Sequence, residues 1–279
     1  MRLLILGGKG MAGHVITKYF TEKKGFQVFY TSRDKEDENG IFLDVREGTK
    51  VEELIERMKP DVTINCTGIL NQHAANNPLQ AFQVNSVLPH QLDKLTKRYQ
   101  GKLIQISTDC VFSGKKGDYT EFDIPDGSSV YSQSKQLGEI ISTQHLTIRT
   151  SIIGPELKEN GIGLFSWFMK QQGEIKGYKH ALWNGVTTLE LAKAIEVMIR
   201  KDVTGLYHLG AQVKTSKYDL LKLIQDIFNK QDVTIIPDHK VKLDRTIMST
   251  RTDFQYYVPS YKKMLEELKD WMFHNEREA

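Results

Sequence analysis

Gly7, Gly10 and Gly13 follow directly on the apolar run at residues 3–6 and open a stretch of helical spacing at residues 11–23. No other feature narrows the fold as far. A strand that turns at once into a helix needs backbone angles and close approaches that a Cβ forbids, and glycine supplies both. The helix then offers its first amides, with Met11 and Ala12 in its first turn, and the positive end of its dipole to an anion above the turn. A G-x-x-G-x-x-G turn between a strand and a helix therefore reads as a cradle for a dinucleotide pyrophosphate.

The rest of the first half repeats the strand–helix alternation. Short apolar runs lie at residues 26–30, 41–43, 62–66 and 103–107. A helix at 51–58 stops before Pro60, and an amphipathic stretch at 79–99 is expected to bend near Pro89. Strict alternation predicts βαβ units, so the fold class is α/β, a Rossmann-type doubly wound parallel sheet. Past residue 150 the alternation loosens. A helix at 188–200 and a strand at 206–209 return to the sheet, and amphipathic helices follow at 215–230 and 260–273. The expected division is residues 1–150 together with 186–210 as the dinucleotide-binding domain, and 151–185 with 211–279 as a smaller C-terminal domain.

Composition limits the partners. The 38 Lys and Arg against 35 Asp and Glu leave a net charge of +3 in 279 residues, too small a surplus to indicate nucleic acid. The two cysteines, Cys66 and Cys110, support neither a disulfide framework nor a four-cysteine zinc site, and no metal is expected. No apolar run reaches bilayer length and no secretory leader is legible, so a soluble cytoplasmic protein without a membrane partner is the expectation. A homodimer stands as a candidate assembly.

The second strand ends Thr31-Ser32-Arg33 with no carboxylate at its tip. A site built for NAD places a carboxylate there to hold the adenosine ribose; a serine and a guanidinium suit a 2′-phosphate. NADPH is therefore the expected cofactor, with NADH the alternative. The wide glycine spacing resembles the extended short-chain dehydrogenase/reductase superfamily. That resemblance implies that Asp44 and Val45 grip the adenine and that Cys66, Thr67 and Gly68 line the cofactor's path.

Tyr131 and Lys135 form Y-x-x-x-K, one helical turn apart. A phenol of pKa about 10 is a poor acid–base group at neutral pH, and a neighbouring ammonium is expected to lower it. Thr108 ends the fifth strand, where a hydroxyl enters the cleft at the sheet's carboxyl edge. The surrounding Ser107-Thr108-Asp109-Cys110-Val111-Phe112, Gly114 and Tyr119-Thr120-Glu121 resemble the S-T-D-Y-V-F…G…Y-x-E stretch of dTDP-4-dehydrorhamnose reductases. Arg149-Thr150-Ser151 and Gly185-Val186-Thr187-Thr188 resemble further segments of that family. The resemblance implies a C-terminal domain that closes over a nucleotide sugar. It implies that Tyr131 protonates a C4 carbonyl oxygen, that Lys135 holds the nicotinamide ribose and tunes Tyr131, and that Thr108 hydrogen-bonds the same oxygen.

Asn85, Cys110, Trp183 and Arg245 are the candidate substrate contacts. Cys110 stands where the family carries a tyrosine. In the related GDP-fucose synthases a cysteine at this offset is an epimerising acid/base, which makes a bifunctional epimerase/reductase the first alternative. The C-terminal third follows the rhamnose-reductase pattern only loosely, and it looks more like relatives acting on UDP-linked 2-acetamido-4-keto-6-deoxy sugars. The Asp-Glu pair of the 4,6-dehydratases is broken at Cys110. The regulatory subunit of methionine adenosyltransferase resembles the same reductases, which makes a non-catalytic NADP-binding partner the second alternative. The expected activity is NADPH-dependent reduction of a nucleotide-activated 4-keto-6-deoxyhexose for surface polysaccharide synthesis.

Overall fold

The computed structural model describes residues 1–158 and 161–276. The chain begins with β1 (Arg2–Leu6), α1 (Met11–Thr21), β2 (Gln27–Ser32), β3 (Ile41–Phe42), α2 (Gly48–Met58) and β4 (Val62–Asn65). Next come α3 (Asn71–Asn76), α4 (Pro78–Phe82), a π-helical turn at Gln83–Val87, α5 (Leu88–Arg98), β5 (Lys102–Ile106) and a 3-10 turn at Asp109–Val111. The middle holds α6 (Val130–Leu137), β6 (Leu146–Thr150), β7 (Ile152–Ile153), α7 (Leu164–Met169), β8 (Gly173–Trp183) and β9 (Val186–Thr187). The chain closes with α8 (Thr188–Arg200), β10 (Gly205–Leu209), β11 (Thr215–Ser216), α9 (Lys217–Phe228), β12 (Val233–Asp244) and α10 (Tyr261–Glu276).

Seven strands form one sheet in the order β10-β6-β5-β4-β1-β2-β3, and every pairing in it is parallel. The order reverses direction between β1 and β4, the switch point at which such sheets open a crevice. Helices cover both faces. Val15, Ile16 and Phe20 of α1 and Leu191, Ile195 and Met198 of α8 bury one face. Leu54 and Ile55 of α2 and Leu92 and Leu95 of α5 bury the other. Covered on both sides, β4 and β6 are buried at every position; β4 lies in the apolar run at 62–66, whereas Thr147, Arg149 and Thr150 interrupt β6, which the sequence does not mark as an apolar run. Thr187 and Ser216 cap α8 and α9, each accepting a hydrogen bond from the amide three residues on.

A second, three-stranded sheet, β11-β8-β12, packs against α9 around a core that includes Phe168, Trp183, Leu221 and Ile224. Its long strands were not expected. β8 carries charged side chains on its exposed positions, and β12 contains Pro237 and a register shift between Asp238 and Lys242, so neither shows an apolar run. β8 and β12 pair in parallel. α10 belongs to both cores: Met264 and Leu268 join the first, Leu265 the second. Residues 159, 160 and 277–279 of the expected C-terminal domain lie outside the described residues. The irregularity expected at Pro89 lies one turn earlier, in the π-helical turn. Pro89 has no N–H to give the Asn85 carbonyl, which faces Gly138 so closely that a Cβ there would lie 1.8 Å from its oxygen.

A buried polar chain links β6 to β10. The Arg149 guanidinium donates to both oxygens of Glu139 at 2.8 and 2.7 Å and meets His208 Nε2 at 3.2 Å. His208 Nδ1 lies 3.0 Å from the Tyr119 carbonyl, and its backbone amide donates to Glu121. Burial pushes the His208 imidazole down from its ordinary 6.5 to about 4, so the folded state holds it neutral.

Two predictions follow from this packing. A Cβ on Gly13 would lie 2.1 Å from the Gly7 carbonyl oxygen, so Gly13→Ala must displace the first turn. It is expected to cost about 1–3 kcal/mol, read as a lower urea midpoint at unchanged slope; an unchanged midpoint refutes the close packing. The neutral His208 stabilises the fold fully above its unfolded pKa of 6.5, and that stabilisation is lost as pH falls toward 4, a loss of about 3 kcal/mol. His208→Gln removes the titration and keeps an acceptor for Arg149. The stability gap between wild type and variant should narrow between pH 7 and 4, whereas parallel curves would contradict the assignment.

Candidate active site

The cofactor side of the crevice is built by the first strand-to-helix turn. Gly7 takes φ +80° and its carbonyl accepts from the Gly10 amide at 2.9 Å. The Gly7 amide donates to Thr31 Oγ1 at 3.1 Å and the Gly8 amide to the Thr31 carbonyl at 2.9 Å, which ties the turn to β2. Gly10 is the N-cap of α1 and offers no side-chain cap, and no acidic residue stands in the first turn. A Cβ on Gly10 would meet only the Gly7 carbonyl, at 3.2 Å. Uncapped amides at Met11 and Ala12 beside a surface without side chains fit a pyrophosphate.

Across the switch point, β4 ends at Asn65, whose Oδ1 accepts from the Thr67 amide and hydroxyl at 3.1 and 2.6 Å. Cys66 is half-buried, and burial pushes its thiol up to about 12. A Cβ on Gly68 would meet only Asn85 Oδ1, at 3.5 Å, so this segment also presents open backbone.

At the end of β2, Ser32 is buried and its hydroxyl accepts from the Asp34 amide at 3.0 Å, while the Arg33 side chain is exposed. The nearby carboxylates are occupied: Lys9 Nζ lies 3.1 Å from Asp34 and 3.4 Å from Asp37. The sequence reading passed over Lys9, although a lysine inside a glycine turn was the available signal. Asp44 is paired with Arg46, whose guanidinium holds its carboxyl below the usual range. Val45 packs against the core under α2.

The candidate catalytic side is assembled by α6 lying over the end of β5. Ser129 caps α6 by accepting from the Ser132 amide at 3.1 Å. Lys135 is buried and donates to the Ile106 carbonyl at 2.7 Å. Thr108 is buried two residues on, and its Oγ1 accepts from the Cys110 amide at 3.1 Å. The Thr108 hydroxyl also acts on the Tyr131 phenol, favouring its ionised form, but burial and the nearby Cys110 and Asp109 outweigh it and raise the phenol above its ordinary value. The sequence reading expected Lys135 to lower Tyr131. Instead the ammonium is committed to the Ile106 carbonyl and is not among the charges acting on the phenol. Burial pushes Lys135 down to about 8, against the pull of Glu139 and Cys66. Tyr131 thus rests as a protonated phenol, the form that donates.

The C-terminal elements close the third side. Arg245 Nε donates to the Phe112 carbonyl at 3.0 Å, and its Nη1 lies 3.6 Å from Cys110 Sγ. Burial and the Asp109 carboxylate push the Cys110 thiol up to about 12, and burial raises the Asp109 carboxyl as well. Lys217, the first residue of α9, places its ammonium 5.1 Å over the Trp183 ring. Burial pushes it down to about 8, opposed by Asp109 and Cys110. The sequence reading missed Lys217, which looks like an ordinary first residue of an amphipathic helix.

Two candidate substrate contacts have their polar groups engaged within the protein. Trp183 is buried and donates to Ser151 Oγ at 2.9 Å. Asn85 is buried and spends its amide on the Ile69 amide and carbonyl and on Ser134 Oγ, tying the segment after β4 to α6. Among the described residues no group of three or more His, Cys, Asp or Glu is placed to hold a metal ion. No helix among them is long and apolar enough to cross a membrane.

The chain is 25% identical over 247 residues to the methionine adenosyltransferase 2 subunit beta of Bos taurus, covering 82% of this chain and 72% of that one. It is 25% identical over 237 residues to the dTDP-4-dehydrorhamnose reductase of Aggregatibacter actinomycetemcomitans, covering 81% and 78%. The fold matches that of the dTDP-4-dehydrorhamnose reductase of Bacillus anthracis, solved in complex with NADP, with a TM-score of 0.82 at 20% identity over 97% of this chain and 99% of that one. Residues 1–249 match the RmlD substrate binding domain, and the chain belongs to that family.

Proposed function

We propose that this protein is an NADPH-dependent reductase of the C4 keto group of a nucleotide-activated 4-keto-6-deoxyhexose, either a UDP-2-acetamido-4-keto-6-deoxy sugar or dTDP-4-dehydrorhamnose, in the synthesis of surface polysaccharide precursors. The observation that carries this reading is the juxtaposition of Thr108, Tyr131 and Lys135 at the end of β5. Gly7, Gly10, Met11 and Ala12 would hold the pyrophosphate, and Ser32 and Arg33 the 2′-phosphate. When bound, the dinucleotide supplies the reducing equivalent.

The chain's own residues supply the proton and the orientation. Burial keeps Tyr131 protonated, so it is an acid ready to give its proton to a carbonyl oxygen as negative charge develops there. Thr108 stands beside it as a second hydroxyl for the same oxygen. The buried Lys135 ammonium, anchored on the Ile106 carbonyl, would hold the nicotinamide ribose. Arg245 and Lys217 bring positive charge to the substrate side, suited to a nucleotide diphosphate.

A base at Cys110 needs a thiolate, and this thiol is pushed up to about 12, which favours plain reduction over the epimerase/reductase alternative. The partner-subunit reading draws on the relation to the methionine adenosyltransferase subunit. The complete Thr108, Tyr131 and Lys135 set favours catalysis.

The test follows NADPH absorbance with both keto sugars offered separately. One of them should be turned over, and Tyr131→Phe should lower kcat by about 10³-fold while NADPH binding stays intact. NADPH binding without oxidation by the wild type would favour the partner-subunit reading. Arg33→Ala should raise KM for NADPH about tenfold and leave KM for NADH unchanged. An equal change for both cofactors would remove Arg33 from the 2′-phosphate site.

A further inference from the structure

We propose that Glu139 is a positioning residue for the Lys135 ammonium, holding it charged and fixing the strand end that carries Thr108, through a buried pair with Arg149. The proposal rests on the reductase reading only for its consequence on turnover.

Three side chains spaced four residues apart, Tyr131, Lys135 and Glu139, descend along α6 and the turn after it, onto three consecutive residues at the end of β5 and just beyond. Tyr131 meets Thr108, Lys135 donates to the Ile106 carbonyl at 2.7 Å, and Glu139 Oε1 accepts from Ser107 Oγ at 2.7 Å. The strand end is therefore gripped at every residue from 106 to 108.

The Glu139 and Arg149 side chains are only 4% and 3% exposed, and the pair is bidentate. A buried ion pair gains little over apolar packing for stability alone, so stability does not account for a carboxylate here. Its charge acts on Lys135. The groups acting on that ammonium are Glu139 and the Cys66 thiol at the end of β4, and both oppose the burial that would discharge it. The Cys66 thiol is pushed up to about 12 and is neutral, which leaves Glu139 as the charged member. Glu139 in turn faces Ser107 from β5 and Arg149 from β6, and Arg149 leads on to His208 of β10.

The experiment titrates Lys135 directly, with lysine carrying carbon-13 at Cε and the signal assigned by its absence in Lys135→Arg. The wild-type midpoint should lie near 8. Glu139→Gln should lower it by about one pH unit or more, and Glu139→Asp should restore most of the fall. If the lone Arg149 charge prevents Glu139→Gln from folding, the double variant Glu139→Gln/Arg149→Met removes the pair together and should show a smaller fall in the same direction, because the Arg149 charge is lost as well. An unchanged midpoint in a folded variant overturns the proposal, because a purely structural carboxylate would leave Lys135 untouched. If the reductase reading holds, the alkaline limb of kcat moves down by the same amount. If the wild type reduces neither keto sugar, that reading fails alone, and the midpoint still decides the role of Glu139.

Discussion

The close approach of α1 to the end of β1 governs the rest of this molecule. A missing Cβ at Gly13 lets the helix lie against the Gly7 carbonyl, and the left-handed φ of Gly7 turns the chain sharply enough for the first amides of α1 to face the crevice. With that turn set, the parallel strands deliver Asn65, Ser107 and Thr108 to the same carboxyl edge. A side chain at either glycine separates the helix from the sheet, and the cofactor cradle and the acid–base group lose their common edge.

Burial is the second organising force, and it acts on charge. Tyr131, Lys135, Cys110, Asp109 and Lys217 are all displaced from their ordinary ionisation by desolvation first and by neighbouring groups second, Glu139 and Cys66 in the case of Lys135. The result is a crevice where phenol and thiol rest protonated and two lysines hold their charge weakly. Such a site is responsive: one added negative group, such as a diphosphate, acts on every one of these residues in a low-dielectric setting. The buried Glu139–Arg149 pair adjoins this cluster through Phe112, whose ring lies 5.1 Å from the Arg149 guanidinium and whose carbonyl accepts from Arg245.

Although β6, interrupted by Thr147, Arg149 and Thr150, was not legible, the sequence made the doubly wound sheet legible because β1 and β4 carry apolar runs and the glycine turn has one structural solution. The order of Thr108, Tyr131 and Lys135 was legible for the same reason, since strand end and helical spacing are local. What lay hidden was non-local. β8 and β12 hide among charged residues and a proline, and Lys217 reaches the site only because α9 folds across Trp183. Asn85 and Trp183 are candidate substrate contacts in the sequence, whereas the folded chain occupies both with hydrogen bonds of its own. The direction of the Tyr131 shift was also out of reach, because it depends on the depth of burial and on the Ile106 carbonyl claiming Lys135.

The central claim is that this crevice reduces a sugar carbonyl with Tyr131 as the acid. The most direct measurement supplies NADPH deuterated at both C4 positions of the nicotinamide together with each keto sugar and locates the label in the product by mass spectrometry and NMR. One deuterium at sugar C4, absent with Tyr131→Phe, is the predicted result. Product without label, or labelled product formed equally well by Tyr131→Phe, would contradict the account.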